Sequence, residues 1–312
     1  MRTVFFGTPE LAVPSLAALH DRHEVAAVVC QPDRPSGRGN RLTAPAVKRW
    51  ALEHGVPVLQ PEKLNDGSFE AWLREQRPEV CTLAAYGRIL KQAILDVPPH
   101  GFLNMHPSLL PLYRGPSPIQ SAILNGDEET GISIIRISMD MDAGDILMQE
   151  RVPIHPEDNG ETLTSRLAER GGELLASAVT KVERGDAVFT PQDHARATYC
   201  RLFEKRDGLL DWSRPAAALH NLVRAARPWP CAQGRLNGET YKVLRSEPTS
   251  DDRGDSVPGT VLRIEKDRIV VAAGEGALAI LEIQPPGKRT MNVADFLRGH
   301  PLRAGDRFEA VP

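Results

Sequence analysis

The sequence predicts an α/β domain with a mostly parallel, doubly wound sheet, followed by a smaller β-rich domain. Its 312 residues exceed the usual size of one domain. In the first half, short apolar strands alternate with helix-like stretches, whereas the last third has short strands and Gly-rich turns. With 41% hydrophobic and 25% charged residues, the composition is that of a globular protein and excludes a disordered chain.

The first half supplies the elements of the sheet. We expect strands at Thr3–Phe6, Val25–Cys30, Pro57–Leu59, Val80–Ala84, Gly101–His106 and Ile132–Ile137. We expect helices at Leu11–His20, Val47–His54, Phe69–Gln76, Lys91–Val97 and Thr162–Val182. This alternation implies βαβ units, whose ligands bind at the carboxyl ends of the strands. The first turn, FFGTPE, lacks the G-x-G-x-x-G fingerprint, which argues against a dinucleotide site.

The second half changes in pattern after the long helix. Residues 186–208 are polar and irregular, and we interpret them as a linker between a domain at 1–185 and another at 209–312. The second domain is expected to begin with a helix at Pro215–Ala226. Strands are expected at Tyr241–Leu244, Gly259–Ile264, Arg268–Ala272 and Ala277–Gln284. Short strands at this spacing are typical of a small β-barrel or sandwich, and an OB-like barrel fits.

Cysteine usage and charge narrow the class of protein. The four cysteines, Cys30, Cys81, Cys200 and Cys231, form no C-x-x-C pair, so neither a zinc site nor a disulfide framework is expected. The chain has no apolar run of membrane-spanning length, and its N-terminal apolar run is short enough that we expect a first β-strand there and not a signal peptide. We therefore expect a cytoplasmic protein. The net charge is −3, with a slight basic excess from Arg206 onwards, which permits a polyanionic partner without requiring one.

The segment GFLNMHPSLLPLYRGPSPIQ, residues 101–120, contains the first candidate for chemistry. Asn104 and His106 are two residues apart at the end of a predicted strand, so their side chains point to the same side. An amide donor beside a titratable imidazole suits the stabilisation of an oxyanion and the transfer of protons. The alternative, that His106 is a hydrogen-bonded core residue and Asn104 a turn former, stays open at this stage.

The segment ISIIRISMDMDAGDIL, residues 132–147, ends a strand in a turn with three carboxylates. One of Asp140, Asp142 and Asp145 could orient the imidazole and favour its protonated form. A simple acidic turn is the alternative. A calcium loop is disfavoured, because the ligand spacing and the closing Glu of an EF-hand are missing.

The segment QPDRPSGRGNRLTAP, residues 31–45, is a long loop that carries Arg34, Arg38 and Arg41. Guanidinium groups on such a loop suit contacts with phosphates and bases, although a solvated surface loop is equally compatible. Other chemistries lack support, since Ser108 has no G-x-S-x-G elbow. Three further histidines lack partners at metal-binding spacing: His155, His194 and His220.

Together, NMHPSLLPLYRG and MDMDAGDIL resemble the signature pair of the formyltransferase fold family that uses 10-formyltetrahydrofolate. Five further segments are similar to those of the methionyl-tRNA formyltransferases: FFGTPELAVPSL, QPDRPSGRG, AAYGRIL, GLLDW and RPWPCA. The resemblance covers nearly the whole chain, in the same order. It implies a Rossmann-like formyltransferase domain with a mostly parallel sheet, joined by a linker to a C-terminal OB-like β-barrel domain that binds tRNA.

The resemblance also implies roles for individual residues. The catalytic trio corresponds to Asn104, His106 and Asp142, and the loop that lines the folate site to Ser108, Leu109, Leu110 and Pro111. The tRNA-binding residues correspond to Arg38, Arg41, Lys205 and Arg206. In the linker, Leu202 stands where a Lys is common, which leaves Lys205 and Arg206 as its expected RNA contacts. The chain also departs from the family's small residues at Pro116-Ser117-Pro118, which touches no proposed catalytic group.

The reaction implied by the resemblance transfers the formyl group of 10-formyltetrahydrofolate to the α-amine of methionyl initiator tRNA. No metal is implied, and a monomer is expected. Within enzymes, formyltransferases of glycinamide ribonucleotide or sugar amines and formyl-folate hydrolases share the catalytic pair. A nicotinamide dehydrogenase is the weakest alternative, because the glycine fingerprint is absent, and a catalytically silent RNA-binding protein is the alternative from outside enzymes.

Overall fold

A computed structural model describes residues 1–36 and 41–309, which divide into two compact units. The first, here called the α/β unit, comprises Met1–Pro118, Glu129–Pro153 and Thr164–Cys200. The second, the barrel unit, comprises Ile119–Glu128, Ile154–Leu163 and Arg201–Pro312. The expected domain boundaries at 185 and 209 remain a proposal.

The α/β unit is built on a seven-stranded sheet with the order β5-β2-β1-β6-β7-β8-β9. Its strands are β1 (Arg2–Gly7), β2 (Glu24–Val29), β5 (Val58–Leu59), β6 (Val80–Ala84), β7 (Phe102–His106), β8 (Glu129–Arg136) and β9 (Ile146–Pro153). The first five strands along the sheet pair in parallel, whereas β8 and β9 are antiparallel. The prediction of a mostly parallel sheet is confirmed.

Helices and one hairpin complete this part of the chain. The helices are α1 (Val13–Arg22), α2 (Ala46–Glu53), α3 (Ser68–Glu75), α4 (Gln92–Leu95), α5 (Pro118–Asn125) and α6 (Gly160–Arg184). The strands β3 (Arg34–Ser36) and β4 (Arg41–Thr43) form an antiparallel pair within the Arg-rich loop. Every residue of β7 is buried, as expected of a strand that lies inside a parallel sheet and is covered on both faces.

The barrel unit contains α7 (Ala216–Ala225), α8 (Val293–Gly299) and an antiparallel sheet. The strands are β10 (Ala232–Leu236), β11 (Glu239–Thr249), β12 (Val261–Ile264), β13 (Ile269–Ala272), β14 (Ala277–Gln284), β15 (Met291–Asn292) and β16 (Phe308–Glu309). They run β12-β13-β14-β11-β10-β16, with β15 paired to β14. The two ends meet through backbone hydrogen bonds from Val261 N to Asp306 O (2.7 Å) and from Phe308 N to Gly259 O (2.8 Å). The sheet thereby closes into a small barrel, which confirms the OB-like prediction.

Two negative findings hold for residues 1–36 and 41–309. In these ranges, no helix combines the length and the apolar character needed to cross a membrane. The same ranges contain no group of three or more His, Cys, Asp or Glu side chains that could hold a metal ion. All four cysteines are buried.

Candidate active site

Strand β7 places Asn104 and His106 at the carboxyl end of the sheet. Asn104 pairs with Ile135 and His106 with Ser133, both on β8. The two side chains are almost fully buried, with 9% and 5% of the residue surface exposed. Polar groups buried to this extent cost free energy unless they have partners, so their contacts indicate their role.

His106 is held by one backbone contact. Its Nε2 lies 2.9 Å from the carbonyl oxygen of Tyr113. Because a carbonyl can only accept, Nε2 carries the proton. Its Nδ1 faces the Oδ2 atom of Asp142 at 3.7 Å. This separation suits an ion pair when the ring is protonated, but it exceeds a direct hydrogen bond.

Asp142 is presented by the turn that precedes β9. Its φ of +49° is in the left-handed region, which a non-glycine residue adopts only at a cost. Its Oδ2 accepts a hydrogen bond from the backbone N–H of Gly115 (2.8 Å). One carboxylate oxygen therefore contacts both the imidazole and the loop that follows β7. Of the three acids in the turn, Asp142 is the one that the structure brings to His106.

Two glycines allow these loops to approach closely. Gly115 has a φ of +118°, and a Cβ atom there would lie 2.2 Å from the carbonyl oxygen of Cys200. A Cβ atom on Gly144 would lie 1.7 Å from the carbonyl oxygen of Arg136. Any other residue would displace backbone at both positions. The close packing of the backbone at these two positions therefore requires glycine at both Gly115 and Gly144.

A cleft of about 280 Å³ adjoins Asn104 and Asp142. Apolar residues form part of its wall, and Asn104 and Asp142 are among the polar groups that line it. Within the described part of the chain, the buried Oδ1 atom of Asn104 has no hydrogen-bond partner. An apolar cleft with a few convergent polar groups is typical of a small-molecule site. Its lining comprises Leu83, Arg88, Ile89, Leu90, Asn104, Ile135, Ile137 and Ser138–Asp142.

The four residues expected to line the folate site are not part of this lining. The Oγ of Ser108 donates to Leu112 O (2.6 Å), and the backbone N of Leu110 donates to Ser133 Oγ (3.1 Å). Leu109 packs against Gly131, where its side chain would meet an added Cβ atom at 2.4 Å. Leu110-Pro111 is a cis peptide bond. These residues shape the loop after β7, and their role towards folate stays a prediction.

Several lining residues were not singled out from the sequence. Arg88, Ile89 and Leu90 belong to the motif AAYGRIL, which could have identified them, because it directly follows β6 at the same edge of the sheet. Ile89 is 87% exposed, which is unusual for a large apolar side chain. Gln192, which contacts the turn carrying Asp142, gave no signal in the sequence.

The residues expected to bind tRNA lie in two places. Arg38 falls outside the described residues, and Arg41 begins β4. Near this hairpin, hydrogen bonds from Gln60 and Lys48 hold the pKa of the Asp33 carboxyl below its ordinary value. Lys205 and Arg206 form a short 3-10 helix in the barrel unit (Lys205–Gly208), where the exposed Arg206 pairs with Glu204 at 2.9 Å.

Comparison with known proteins identifies the family. Residues 1–179 match the formyl transferase family, and residues 203–301 match the formyl transferase C-terminal domain. A methionyl-tRNA formyltransferase of Myxococcus xanthus is 46% identical, over 98% of this chain and 97% of the relative. That of Roseiflexus castenholzii is 45% identical over 99% of both chains. The chain belongs to the methionyl-tRNA formyltransferase family.

Solved structures show the same fold at low identity. An N-formyltransferase from Helicobacter canadensis superposes with a TM-score of 0.68 at 18% identity, covering 89% of this chain and 98% of that one. HypX from Aquifex aeolicus, crystallised with tetrahydrofolic acid, gives a TM-score of 0.64 at 19% identity, covering 99% of this chain and 50% of that one. The formyltransferase fold is therefore shared by proteins of quite different sequence.

Proposed function

We propose that this protein transfers the formyl group of 10-formyltetrahydrofolate to the α-amine of methionyl initiator tRNA, giving N-formylmethionyl-tRNA for translation initiation. The observation that carries the proposal is a cleft lined by Asn104 and Asp142, with His106 facing Asp142 at 3.7 Å. Family membership over the full length of the chain supports the choice of acceptor. The alternatives within enzymes differ in the acceptor, which is another amine or, for the hydrolases, water, and relatives at 45–46% identity favour tRNA.

The cleft fits a folate co-substrate. A flat heterocycle needs an apolar slot, which Leu83, Leu90, Ile135 and Ile137 supply. The unpartnered Oδ1 of Asn104 offers a hydrogen-bond acceptor at the wall of this slot. We assign the reacting end of the folate to the Asn104 end of the cleft, because the catalytic groups are there.

Asn104 and His106 act on the formyl oxygen, and Asp142 acts on the imidazole. The amine attacks the formyl carbon, the bond from that carbon to N10 breaks, and one proton moves from the amine to N10. Free α-amines have pKa values of about 7.7–8.0, so a useful fraction is neutral near neutral pH. The Asn104 amide and protonated His106 stabilise the negative charge that develops on oxygen. Asp142 stabilises the imidazolium, which it faces at 3.7 Å, and assists the proton transfer.

The first experiment replaces the oxyanion donors. In a single-turnover assay with 10-formyltetrahydrofolate and Met-tRNA, we expect Asn104→Ala and His106→Ala each to lower the rate about 10²–10³-fold, the effect of losing one donor. Product is measured as formylated methionine released from the tRNA. Folding is checked by circular dichroism and thermal unfolding. Near wild-type rates in both folded variants would contradict the assignment, and a wild-type protein that forms no product would reject the function.

The contacts with tRNA require their own test. We propose that Arg38 and Arg41 contact the acceptor end and that Lys205 and Arg206 contact the tRNA backbone. Arg38→Ala is then expected to raise the KM for Met-tRNA about tenfold without changing that for folate, since a lost charge-assisted contact costs about 1.4 kcal/mol. Exposed Arg74 provides the control variant, Arg74→Ala. Equal KM values for both variants would argue against a contact at Arg38.

The organisation of the chain forms part of the same proposal. We place the formyltransferase domain at 1–185, the linker at 186–208 and the tRNA-binding domain at 209–312. The slight basic excess from Arg206 onwards supports the last assignment. A monomer acting in the cytoplasm fits a reaction in which one chain carries the whole catalytic trio. Light scattering of the protein with and without tRNA tests the monomer.

A further inference from the structure

Gln192 lies between the loop that follows β7 and the turn that carries Asp142. Its Nε2 donates to the carbonyl oxygens of Asp142 (2.8 Å) and Gly144 (2.7 Å). Its Oε1 accepts from the Nε (3.2 Å) and Nη2 (2.7 Å) atoms of Arg114. Only 5% of Gln192 and 3% of Arg114 are exposed. The buried side-chain amide of Gln192 therefore makes four hydrogen bonds.

The orientation of this amide is decided by its neighbours. Both groups next to Nε2 are carbonyls, which only accept, and the guanidinium next to Oε1 only donates. Rotating the amide by 180° would oppose donor to donor and acceptor to acceptor. Gln192 consequently links the Asp142 turn to Arg114 in one defined arrangement.

The residues on either side of Arg114 in the sequence hold two of the proposed catalytic side chains. Arg114 stands between Tyr113, whose carbonyl accepts from His106, and Gly115, whose N–H donates to Asp142. Arg114 is further fixed by His194 Nδ1 (3.0 Å) and by the backbone of Thr198 and Cys200. Such contacts help to hold the Asp142 turn, whose φ of +49° is in the left-handed region that a non-glycine residue adopts only at a cost.

We propose that Gln192 is a positioning residue for Asp142, which it reaches through the carbonyls of the turn without contacting the cleft. This inference rests on the proposed function for the role of Asp142. The interaction is directional: the two N–H groups of Gln192 restrain the turn, and its oxygen restrains Arg114. Removing the N–H groups alone releases Asp142 and leaves Arg114 paired.

Gln192→Glu makes that change. The carboxylate still accepts from Arg114, but it presents a charged oxygen to two carbonyls in place of a donor. Leaving two buried carbonyls without donors is expected to lower kcat about 10–100-fold, while the KM values for folate and Met-tRNA change less than threefold. The matched control is Gln76→Glu, since Gln76 also donates to a backbone carbonyl, that of Trp72.

The decisive comparison is a double-mutant cycle with Asp142→Asn. If Gln192 acts through Asp142, Gln192→Glu is expected to change kcat less than about twofold once Asp142→Asn is present. The same fold-loss in both backgrounds would show a general structural role and overturn the inference. Should Gln192→Glu fail to fold, Gln192→Asn, whose amide is one methylene shorter, enters the same cycle.

A second readout needs no catalysis. The Gly115 amide proton is bonded to Asp142, so its hydrogen exchange, measured by NMR, reports the position of the turn. We expect at least tenfold faster exchange in Gln192→Glu than in wild type or Gln76→Glu, the change that corresponds to about 1.4 kcal/mol of lost protection. Unchanged exchange would refute the positioning role. A wild-type protein that formylates nothing would instead reject the proposed function and leave this measurement informative.

Discussion

A group of buried polar side chains lies at the carboxyl end of the sheet in the α/β unit, whereas most buried side chains of the barrel unit are apolar. The buried polar side chains of the α/β unit include Asn104, His106, Ser108, Arg114 and Gln192. The barrel encloses a cluster of hydrophobic residues that includes Trp212, Tyr241, Phe296 and Phe308. Buried polar groups must be matched one by one, whereas apolar groups need only be packed.

This difference predicts how each unit responds to substitution. Apolar burial stabilises roughly in proportion to area, so a lost side chain in the barrel lowers stability. Polar networks fix geometry, so a lost partner near the cleft lowers the rate. Substitutions of buried polar residues in the α/β unit are therefore expected to lower the reaction rate most. The barrel unit is expected to keep its functional groups on its surface.

Phe296→Ala gives the largest expected effect on stability. Phe296 is fully buried, lies 5.7 Å from the ring of Tyr241 and stacks at 4.6 Å on His300. Removing it leaves a cavity and is expected to lower the free energy of unfolding by about 3–5 kcal/mol. Urea denaturation followed by circular dichroism measures this loss. The kcat per folded molecule is expected to stay within about twofold of wild type.

The control for Phe296→Ala is Val257→Ala, because Val257 is 52% exposed. Its cost is expected to stay below about 0.5 kcal/mol. If kcat of the folded Phe296→Ala protein fell as much as its stability, the expectation that substitutions in the barrel unit affect stability and not rate would be wrong.

Several strands could be located from the sequence alone. Ala277–Gln284 and Val80–Ala84 have the predicted bounds, and Val25–Cys30 is displaced by one residue. Long apolar runs identify such strands because burial on both faces removes polar residues. Strand β9 was missed, since Glu150 and Arg151 interrupt its apolar pattern and Val152 alone among its residues is fully buried.

The contacts between distant segments could not be derived from the pattern. Asp142 meets His106 only because β7 and β8 pair in the register that sets His106 against Ser133. The bond between Arg114 and Gln192 joins residues 78 positions apart. Periodicity describes which face a residue occupies, and it contains no information about such partners. Resemblance to a family identified Asp142 among the three acids, whereas the role of Gln192 could be identified only from the three-dimensional structure.

Gly115→Ala tests the close packing beside Asp142. An alanine there combines an unfavourable φ of +118° with a Cβ atom 2.2 Å from the carbonyl of Cys200. We expect a loss of about 1–3 kcal/mol of stability from the strain and at least a tenfold lower kcat, because the Gly115 N–H holds Asp142. Single-turnover formylation and thermal unfolding measure the two effects.

Gly55→Ala is the matched control for the positive φ. Gly55 has a φ of +69°, and an added Cβ atom would meet nothing within 4 Å. It is expected to cost about 1 kcal/mol of stability through backbone strain alone, with kcat unchanged. Equal effects of both substitutions on kcat would mean that the approach of Cys200 to Gly115 does not matter for the chemistry.

The smallest expected effect is a pH dependence that belongs to the barrel unit. Burial lowers the pKa of His220 to about 4, and Arg224 adds to this shift while Glu247 opposes it. The unfolded chain binds the proton near the ordinary pKa of about 6.5, so it gains protons before the folded state does. Stability is therefore full above pH ~6.5 and falls as the pH drops towards 4.

His220→Gln is expected to remove that part of the acid sensitivity. The wild type should lose about 1–2 kcal/mol more than the variant between pH 6.5 and 4, a figure reduced from the full linkage value because His220 is only partly buried. Urea denaturation across this range measures the difference, and His100→Gln at an exposed site controls for the loss of an imidazole. Parallel pH profiles for wild type and His220→Gln would remove His220 as the cause. The loss of stability at low pH would then have to come from the buried polar groups of the α/β unit. In that case stability at low pH, unlike stability near neutral pH, would depend on the polar groups of the α/β unit and not on the barrel unit.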